Sequence, residues 1–161
     1  MKSLITAALF LMAFSVQAIT NHAPDFKLED QFSKEHSSKK FEGKSVIYTI
    51  TDRTGAEYME NWIIALKPFK SRVDLVAVAN VKGVPGLLKG FVRGKFRDVY
   101  SYPILMDWDA KLWEHFGCRE GVPTVVHVDG SNVVRFKISG KGTEAEVKKL
   151  RDELNKLVAA Q

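Results

Sequence analysis

One passage does most to decide the fold: residues 46–58, which read VIYTITDRTGAEY. Its first six residues are mostly β-branched or aromatic, as is typical of a central strand. Asp52 and Gly55 then interrupt the apolar run, and Thr54 followed by Glu57 fits a helix capping box. The passage therefore predicts a strand that turns directly into a helix ending near residue 66. The apolar face expected for that helix consists of Met59, Trp62, Ile63 and Leu66.

The rest of the chain alternates in the same way. Strands are predicted at residues 73–81, 104–106, 124–128 and 133–138, the last two joined as a hairpin, and residues 25–28 suit a strand or extended arm. Helices are predicted at residues 87–99, 110–116 and 143–159, with Asp109 as a cap and Thr143 and Glu146 as a capping box. Residues 33–45 are predicted to be a loop. This order predicts one α/β domain with a mixed sheet.

The beginning of the chain has the pattern of an export signal. Lys2 supplies a positive charge, residues 4–15 form an apolar stretch too short to span a bilayer, and Ala18 ends a pattern that signal peptidase reads. We therefore expect a signal peptide at residues 1–18, cleavage after Ala18, and one domain at residues 19–161. An N-terminal anchor helix is the alternative.

The net charge of +5 is a mild excess. Loss of Lys2 would leave +5 − 1 = +4, which favours weak attraction to a membrane surface but is not typical of a nucleic-acid-binding protein. The four histidines are scattered, without a carboxylate or cysteine at metal-ligand spacing, and no phosphate-binding loop occurs. We expect no nucleic acid, metal or cofactor. His127, on a predicted strand, is expected at the surface or in a hydrogen bond.

Three motifs resemble those of the redoxin branch of the thioredoxin-like superfamily. They are Ala23-Pro24-Asp25-Phe26-Lys27-Leu28, Gly43-Lys44-Ser45-Val46-Ile47, and Gly121-Val122-Pro123-Thr124 with residues 125–130. A closer resemblance, over residues 43–150, is to periplasmic YtfJ-type proteins. It rests on Arg53-Thr54-x-Ala56 and on Asn80-x3-Val84-Pro85-Gly86-x4-Phe91-Val92-Arg93. The resemblance implies a thioredoxin-like fold, a central mixed sheet flanked by helices, a location in the periplasm, and a cis Pro123.

The sequence departs from the superfamily at its catalytic motif. There a Cys-x-x-Cys pair or a peroxidatic cysteine lies where the first long helix begins, and the helix dipole lowers the thiol pKa. Counted from Gly43-Lys44, that motif falls near residues 55–58, yet no cysteine occurs from residue 1 to residue 117. We therefore expect neither dithiol exchange nor peroxidase chemistry at this loop, and no catalytic residue in it.

Cys118 is the single cysteine of the chain. One interpretation is a buried side chain that acts as a small apolar group. The alternative is a single-cysteine thiol oxidoreductase or redox sensor, in which the charge of Arg119 favours the thiolate.

The retained proline loop supports the leading functional hypothesis. In the superfamily the cis proline makes the preceding residue present its backbone to an extended chain, a function that needs no thiol. We expect a non-catalytic module that binds a periplasmic protein or an extended peptide; a proline kept only for the turn is the alternative. The expected contact residues are Arg53, Thr54, Gly55, Tyr58, Val122, Pro123 and Thr124.

The predicted helix at residues 87–99 is a second candidate surface. It is either a solvated helix packed on the sheet or a docking surface for an anionic partner or membrane face. Its cations are Lys89, Arg93, Lys95 and Arg97. The residues expected to form its opposite, apolar face are Leu87, Leu88, Phe91, Val92 and Phe96.

Overall fold

A computed structural model describes residues 21–159. The predicted signal peptide and its cleavage site lie outside these residues. The strands are β1 (Lys27–Glu29), β2 (Glu35–Ser37), β3 (Val46–Thr51), β4 (Asp74–Asn80), β5 (Ile104–Asp107), β6 (Thr124–Val128) and β7 (Val134–Ser139). The helices are α1 (Met59–Leu66), α2 (Lys89–Val99), α3 (Lys111–His115) and α4 (Glu144–Ala159).

Five of the strands form one mixed sheet in the order β5-β4-β3-β6-β7. β3, β4 and β5 are parallel, whereas β6 is antiparallel to both of its neighbours. α1 and α4 pack on one face, against Ile47 and Val125. α2 covers Ala79 on the same face, and α3 packs on the other face against Tyr48 and Val126. This sheet between two helical layers confirms the predicted α/β architecture.

α1 begins later than predicted, because one turn of 3-10 helix (Gly55–Tyr58) precedes it. The predicted capping box of Thr54 and Glu57 is wrong. Thr54 already has helical backbone angles (φ −72°, ψ −43°), and its side chain makes no capping hydrogen bond. A capping residue needs an extended backbone to direct its side chain at the free N–H groups. The buried stripe of α1 is Trp62, Ala65 and Leu66, so Ala65 takes the place predicted for Ile63, which is exposed.

The other two predicted caps have opposite outcomes. The capping box of α4 is confirmed: the Thr143 N–H donates to the Glu146 carboxylate at 2.9 Å, and the Glu146 N–H donates to the Thr143 hydroxyl at 3.4 Å.

At α3 the predicted Asp109 cap is wrong. The buried Asp107 accepts three consecutive N–H groups, those of residues 111–113, at 2.8–3.0 Å. Asp107 ends β5, and the following turn directs the free N–H groups of α3 at its carboxylate.

The segment predicted as a loop, residues 33–45, contains β2 and one turn of 3-10 helix. β2 pairs with β1 as an antiparallel hairpin, and Asp30 bridges to Leu105 of β5. The hairpin thus covers the outer edge of the sheet, which would otherwise be an unpaired strand. The buried Asp30 carboxylate lies 2.7 Å from the ring nitrogen of His36. The buried Gln31 amide makes three hydrogen bonds, at 2.8–3.2 Å, to the backbone between α2 and β5.

Candidate functional site

Two loops meet at one end of the sheet. Residues 52–58 follow the carboxyl end of β3, and residues 119–123 lead into β6. Because β3 and β6 are antiparallel, with Ile50 opposite Thr124, both loops lie at the same edge. The structure therefore brings together the two segments that the sequence predicts as a binding surface.

Asp52 joins these loops and was not among the predicted site residues. One carboxylate oxygen accepts the N–H of Gly55 at 2.7 Å, and the other accepts the N–H of Gly121 at 2.9 Å. Hydrogen bonds to an ionised acceptor are among the stronger ones in proteins, so this carboxylate fixes the two loops in relation to each other. The sequence does carry a signal for it, an Asp at a strand end three residues before a Gly, which is typical of a side-chain-mediated turn.

Gly55 opens the segment in which the resemblance places the cysteine motif. It is buried, and a Cβ added to it would lie 2.9 Å from the carbonyl carbon of Val122 and 2.5 Å from the hydroxyl oxygen of Thr51. A side chain does not fit at these distances unless one of the loops moves. The segment therefore lacks a thiol, and at this position it also lacks the space for one.

The seven predicted contact residues differ in accessibility. Those reachable from solvent are Arg53 and Thr54, which are exposed, and Tyr58 and Val122, which are half-buried. The others, Gly55, Pro123 and Thr124, are buried. A partner at this edge can therefore contact four of the seven predicted side chains directly.

Val122 has a free carbonyl group at the end of the sheet. Its C=O takes part in no backbone hydrogen bond within residues 21–159, whereas the C=O of Pro123 accepts the N–H of Gly140 at 3.1 Å. The Val122 N–H is directed back toward Arg119 by the turn at residues 120–121. A free backbone carbonyl can accept an N–H from an extended partner chain. Val122 is thus one position in the loop, beside the predicted contact residues Arg53 and Thr54, with the capacity for backbone recognition.

The peptide bond before Pro123 differs from the one that the resemblance implies. No cis peptide bond occurs within residues 21–159, so this bond is trans. The trans form of a bond before proline is the more stable one by about 0.5–1 kcal/mol. Gly121, with φ of 74°, turns the chain just before it, in a backbone region that glycine adopts without strain.

A third segment, residues 140–142, borders the site. The Gly140 carbonyl accepts the indole N–H of Trp62 at 3.1 Å, which ties this segment to α1. The Lys141 ammonium lies 4.9 Å from the centre of the Tyr58 ring, within the range of a cation–π interaction. Lys141 was not predicted, and no feature of the sequence links it to Tyr58.

Cys118 lies between α3 and β6, partly buried against the aromatic side of the core. Burial raises the pKa of its thiol to about 11, and a hydrogen bond with Thr124 and the charge of Lys137 offset only part of this rise. Arg119, expected to favour the thiolate, instead donates to the carbonyl of Ser139 at 3.1 Å. The thiol is therefore protonated at neutral pH, which favours the interpretation as a small apolar side chain.

The four predicted cations of α2 lie in two environments. Arg93 donates to the carbonyl of Asp30 at 2.9 Å and pairs with Glu29 at 2.5 Å. Arg97 donates to another carbonyl of the same hairpin at 3.3 Å. These two arginines hold the β1–β2 hairpin against α2. Arg93 is thus the one of the four with an acidic partner in the described part of the chain, and Lys89 and Lys95 do not contact the hairpin.

Other candidates lie away from this edge. His127 is buried on β6, and its Nε2 lies 2.7 Å from the Ser45 hydroxyl, so the predicted hydrogen bond is present but the surface position is not. Among residues 21–159, no three His, Cys, Asp or Glu side chains are grouped to hold a metal ion. Over the same residues, no helix combines the length and the apolar character needed to cross a bilayer.

A scan against protein-family models gives no match, and a search of curated protein sequences gives none. Solved structures do match. The exposed lipoprotein thioredoxin Etrx1 of Streptococcus pneumoniae has a TM-score of 0.63 and 16% identity, over 81% of this chain and 99% of that one. DsbF of MTB has a TM-score of 0.59 and 18% identity, over 82% and 94%. A hypothetical protein of Sinorhizobium meliloti 1021 has a TM-score of 0.66 and 13% identity, over 88% and 85%.

At these identities the likeness is one of fold. The chain has an α/β thioredoxin-like fold, as its sequence predicts, with a mixed five-stranded sheet between helical layers. Its site loop holds a buried glycine, Gly55, and no cysteine.

Proposed function

We propose that this chain is an exported thioredoxin-like module that binds an extended segment of a periplasmic protein and does not exchange thiols. The proposal rests on the loop after β3, where Gly55 leaves no space for a side chain and no cysteine is present. The free backbone carbonyl of Val122 lies beside that loop.

Thiol exchange does not transfer to this chain from proteins of similar fold. Etrx1 is described as a thioredoxin, and DsbF has been solved in mixed oxidised and reduced forms. Exchange of this kind needs an attacking thiolate, and release of the mixed disulfide needs a second thiol. This chain has one cysteine, Cys118, outside the loop, and burial raises the pKa of its thiol to about 11.

Backbone recognition at Val122 supports the binding role. β6 is paired with β3 and β7, so an extended partner chain can reach this position only across the loop that precedes β6, where it would donate an N–H to the free C=O of Val122. Arg53 and Thr54 offer exposed donors next to this position, and Tyr58 offers a partly exposed ring under Lys141. These groups recognise a main chain and its immediate side chains without any sulfur.

The proposed location follows from the sequence pattern and the resemblance. Residues 1–18 have the features of an export signal. The resemblance to periplasmic YtfJ-type proteins includes Arg53-Thr54-x-Ala56, which lies in the site loop. Etrx1, of similar fold, is described as an exposed lipoprotein, so the fold is used outside the cytoplasm.

The test selects ligands from a random library of cysteine-free, unstructured peptides and titrates the best binders into isotope-labelled protein. We expect chemical-shift changes at Arg53, Thr54, Tyr58 and Val122. Tyr58→Ala removes the ring, and Val122→Pro alters the backbone that presents the free carbonyl. Each should weaken binding by about tenfold, the loss expected for one good contact. The matched control is Ile64→Ala, which removes an exposed apolar side chain from the outer face of α1.

Two results would contradict the proposal. One is a library selection that returns no peptide with shift changes in the two loops. The other is reduction of insulin disulfides, or consumption of peroxide, that the purified chain catalyses above background and that Cys118→Ser abolishes. The second result would instead identify Cys118 as a redox-active cysteine.

A further inference from the structure

The beginning of α2 exposes a group of large apolar side chains. Leu87 is 98% exposed, Leu88 49% and Phe91 64%. Leu87 and Leu88 lie in the 3-10 turn (Gly86–Leu88) that leads into α2, and Phe91 follows one helical turn later, so the three share one side of the helix start. The apolar face predicted for this helix is therefore divided, because these three side chains are exposed. Val92 and Phe96 pack against the sheet instead.

The segment that holds these side chains is mainly basic. From residue 81 to the end of α2 at residue 99 it includes five Lys or Arg and one acid, the exposed Asp98 near the far end of the helix. Arg93 and Arg97 are occupied by the β1–β2 hairpin, and Lys82 pairs with Glu114. The two remaining cations have no acidic partner within residues 21–159 and lie over aromatic rings. They are Lys89, 5.1 Å from the Trp108 ring centre, and Lys95, 5.4 Å from that of Phe91.

We propose that this surface, the α2 tip (Leu87, Leu88, Lys89, Phe91 and Lys95), docks on an anionic phospholipid membrane. Its apolar side chains insert at the boundary of headgroups and acyl chains, and its two lysines contact lipid phosphates. The combination of exposed leucine and phenylalanine with unpaired lysines is the chemistry that recognises such a surface. The inference is independent of peptide binding at Val122.

The shape of the α2 tip favours a membrane over a protein partner. A side chain as exposed as Leu87 projects from the surface and is not part of a groove. Two cavities of about 280 and 310 Å³ lie elsewhere in residues 21–159, and no residue of α2 lines either of them. A stable protein interface covers about 800 Å² on each partner, far more than three side chains at one helix end. A projecting apolar tip inserts into a lipid surface without a complementary pocket.

The charge pattern also sets what kind of membrane is expected. Each Lys near an anionic bilayer contributes about 1 kcal/mol, which is about fivefold in the partition coefficient. Two free lysines therefore make binding to anionic vesicles about 25-fold stronger than to neutral ones, and added salt weakens it as it screens the charges. Insertion of the apolar side chains adds a contribution to the binding free energy that salt does not remove.

The experiment measures co-sedimentation with vesicles of phosphatidylglycerol mixed equally with phosphatidylcholine, and with vesicles of phosphatidylcholine alone. It uses the full chain as purified, with its N-terminus established by mass spectrometry and identical in all variants. We expect binding to the mixed vesicles that the triple variant Leu87→Ser/Leu88→Ser/Phe91→Ser weakens by at least about tenfold. Lys89→Gln/Lys95→Gln should weaken it by about 25-fold.

Two control variants distinguish specific binding through the α2 tip from nonspecific binding to vesicles. Val99→Ser removes an exposed apolar side chain at the other end of α2, and Lys149→Gln/Arg151→Gln removes two exposed charges from α4. Both should bind vesicles as the unchanged chain does. Circular dichroism of every variant establishes that the fold is retained.

Several outcomes would overturn the inference. They are absence of binding to the mixed vesicles, equal binding by the triple variant, or equal losses in the controls. A photocrosslinking residue in place of Leu88 distinguishes the partners in living cells. Crosslinks to phospholipid would support membrane docking. Crosslinks to a protein would show instead that the α2 tip is a protein interface, and would overturn the proposal. None of these outcomes depends on peptide binding at Val122, which has its own test.

Discussion

The Asp52 carboxylate accepts the N–H of Gly121 at 2.9 Å across 69 positions of sequence, while its other oxygen accepts the N–H of Gly55. Asp52→Ala leaves both N–H groups without this acceptor. We expect the free energy of unfolding to fall by about 1–2 kcal/mol, the usual loss for bonds to a partly exposed charged acceptor. Urea denaturation followed by circular dichroism measures the change.

Glu57→Ala is the matched control for Asp52→Ala. Glu57 is the acid that the sequence assigns to a capping box, but it is exposed and Thr54 opposite it makes no capping bond. Its removal should change the free energy of unfolding by less than about 0.5 kcal/mol. Equal losses for the two variants would show that Asp52 has no special part in joining the loops.

Gly55 is the second residue that sets how closely the loops approach. Gly55→Ala places a Cβ 2.9 Å from the Val122 carbonyl carbon, so we expect a loss of about 1–3 kcal/mol in the free energy of unfolding. Gly90→Ala is the opposite case, because Gly90 lies inside α2 with no atom within 4 Å of the added methyl group. It should stabilise the protein by about 0.5–1 kcal/mol. Similar thermal midpoints for both variants would contradict the close approach.

The sequence predicts elements whose signals are local. β3 is confirmed at both ends, and the Thr143–Glu146 box is confirmed because both partners lie within one turn. The sequence does not predict Asp52 or Asp107 as the residues that accept the free N–H groups at the start of the next helical turn. Each Asp lies at the end of a strand, several residues before that helical turn. Only the intervening turn brings its carboxylate to the N–H groups. Sequence patterns assign such a turn less reliably than a periodic helix.

The misplaced side chains of α2 have a different cause. At 3.6 residues per turn, Leu87 lies about 180° and Phe91 about 140° from Phe96 around the helix axis, so these side chains do not share one face. α2 packs through Val92 and Phe96 on a cluster formed by β4 and β5. Leu87 and Phe91 face away from that cluster and are exposed. The helical period alone therefore separates these side chains from the packed ones.

The raised pKa of Cys118 leads to a prediction about its reactivity. A rise from 9.0 to about 11 lowers the thiolate fraction near neutral pH, and the higher nucleophilicity of a more basic thiolate offsets part of this loss. We expect iodoacetamide to alkylate the folded chain at least about tenfold more slowly than the chain unfolded in urea at the same pH. Mass spectrometry over time gives both rates. Labelling of the folded chain as fast as that of the unfolded chain would support the redox-sensor hypothesis.

Arg93 is expected to matter for folding more than for surface charge. It donates to the carbonyl of Asp30 and pairs with Glu29, so Arg93→Ala should loosen the β1–β2 hairpin. We expect a loss of about 1–2 kcal/mol in the free energy of unfolding and faster hydrogen exchange of the hairpin amides. Lys95→Ala, one charge removed from the same helix, should leave both unchanged. Exchange at the hairpin that does not respond to Arg93→Ala would contradict this role.

His127 gives the fold a specific dependence on pH. Burial lowers the pKa of its imidazole below 6.5; the charge of Asp129 opposes this shift and that of Arg135 adds to it. Its Nδ1 has no hydrogen-bond partner among residues 21–159. Below pH 6.5 the unfolded chain therefore takes up a proton that the folded chain resists. The free energy of unfolding should fall as the pH falls from 6.5, by at most about 1.4 kcal/mol per pH unit, until the pKa of His127 in the folded chain is reached.

The test compares two substitutions. His127→Phe, which keeps a ring beside Phe136, should remove this dependence of the free energy of unfolding on pH, whereas His22→Phe at an exposed position should not. An unchanged slope in His127→Phe, measured by urea denaturation from pH 7 to pH 5, would assign the dependence to other groups.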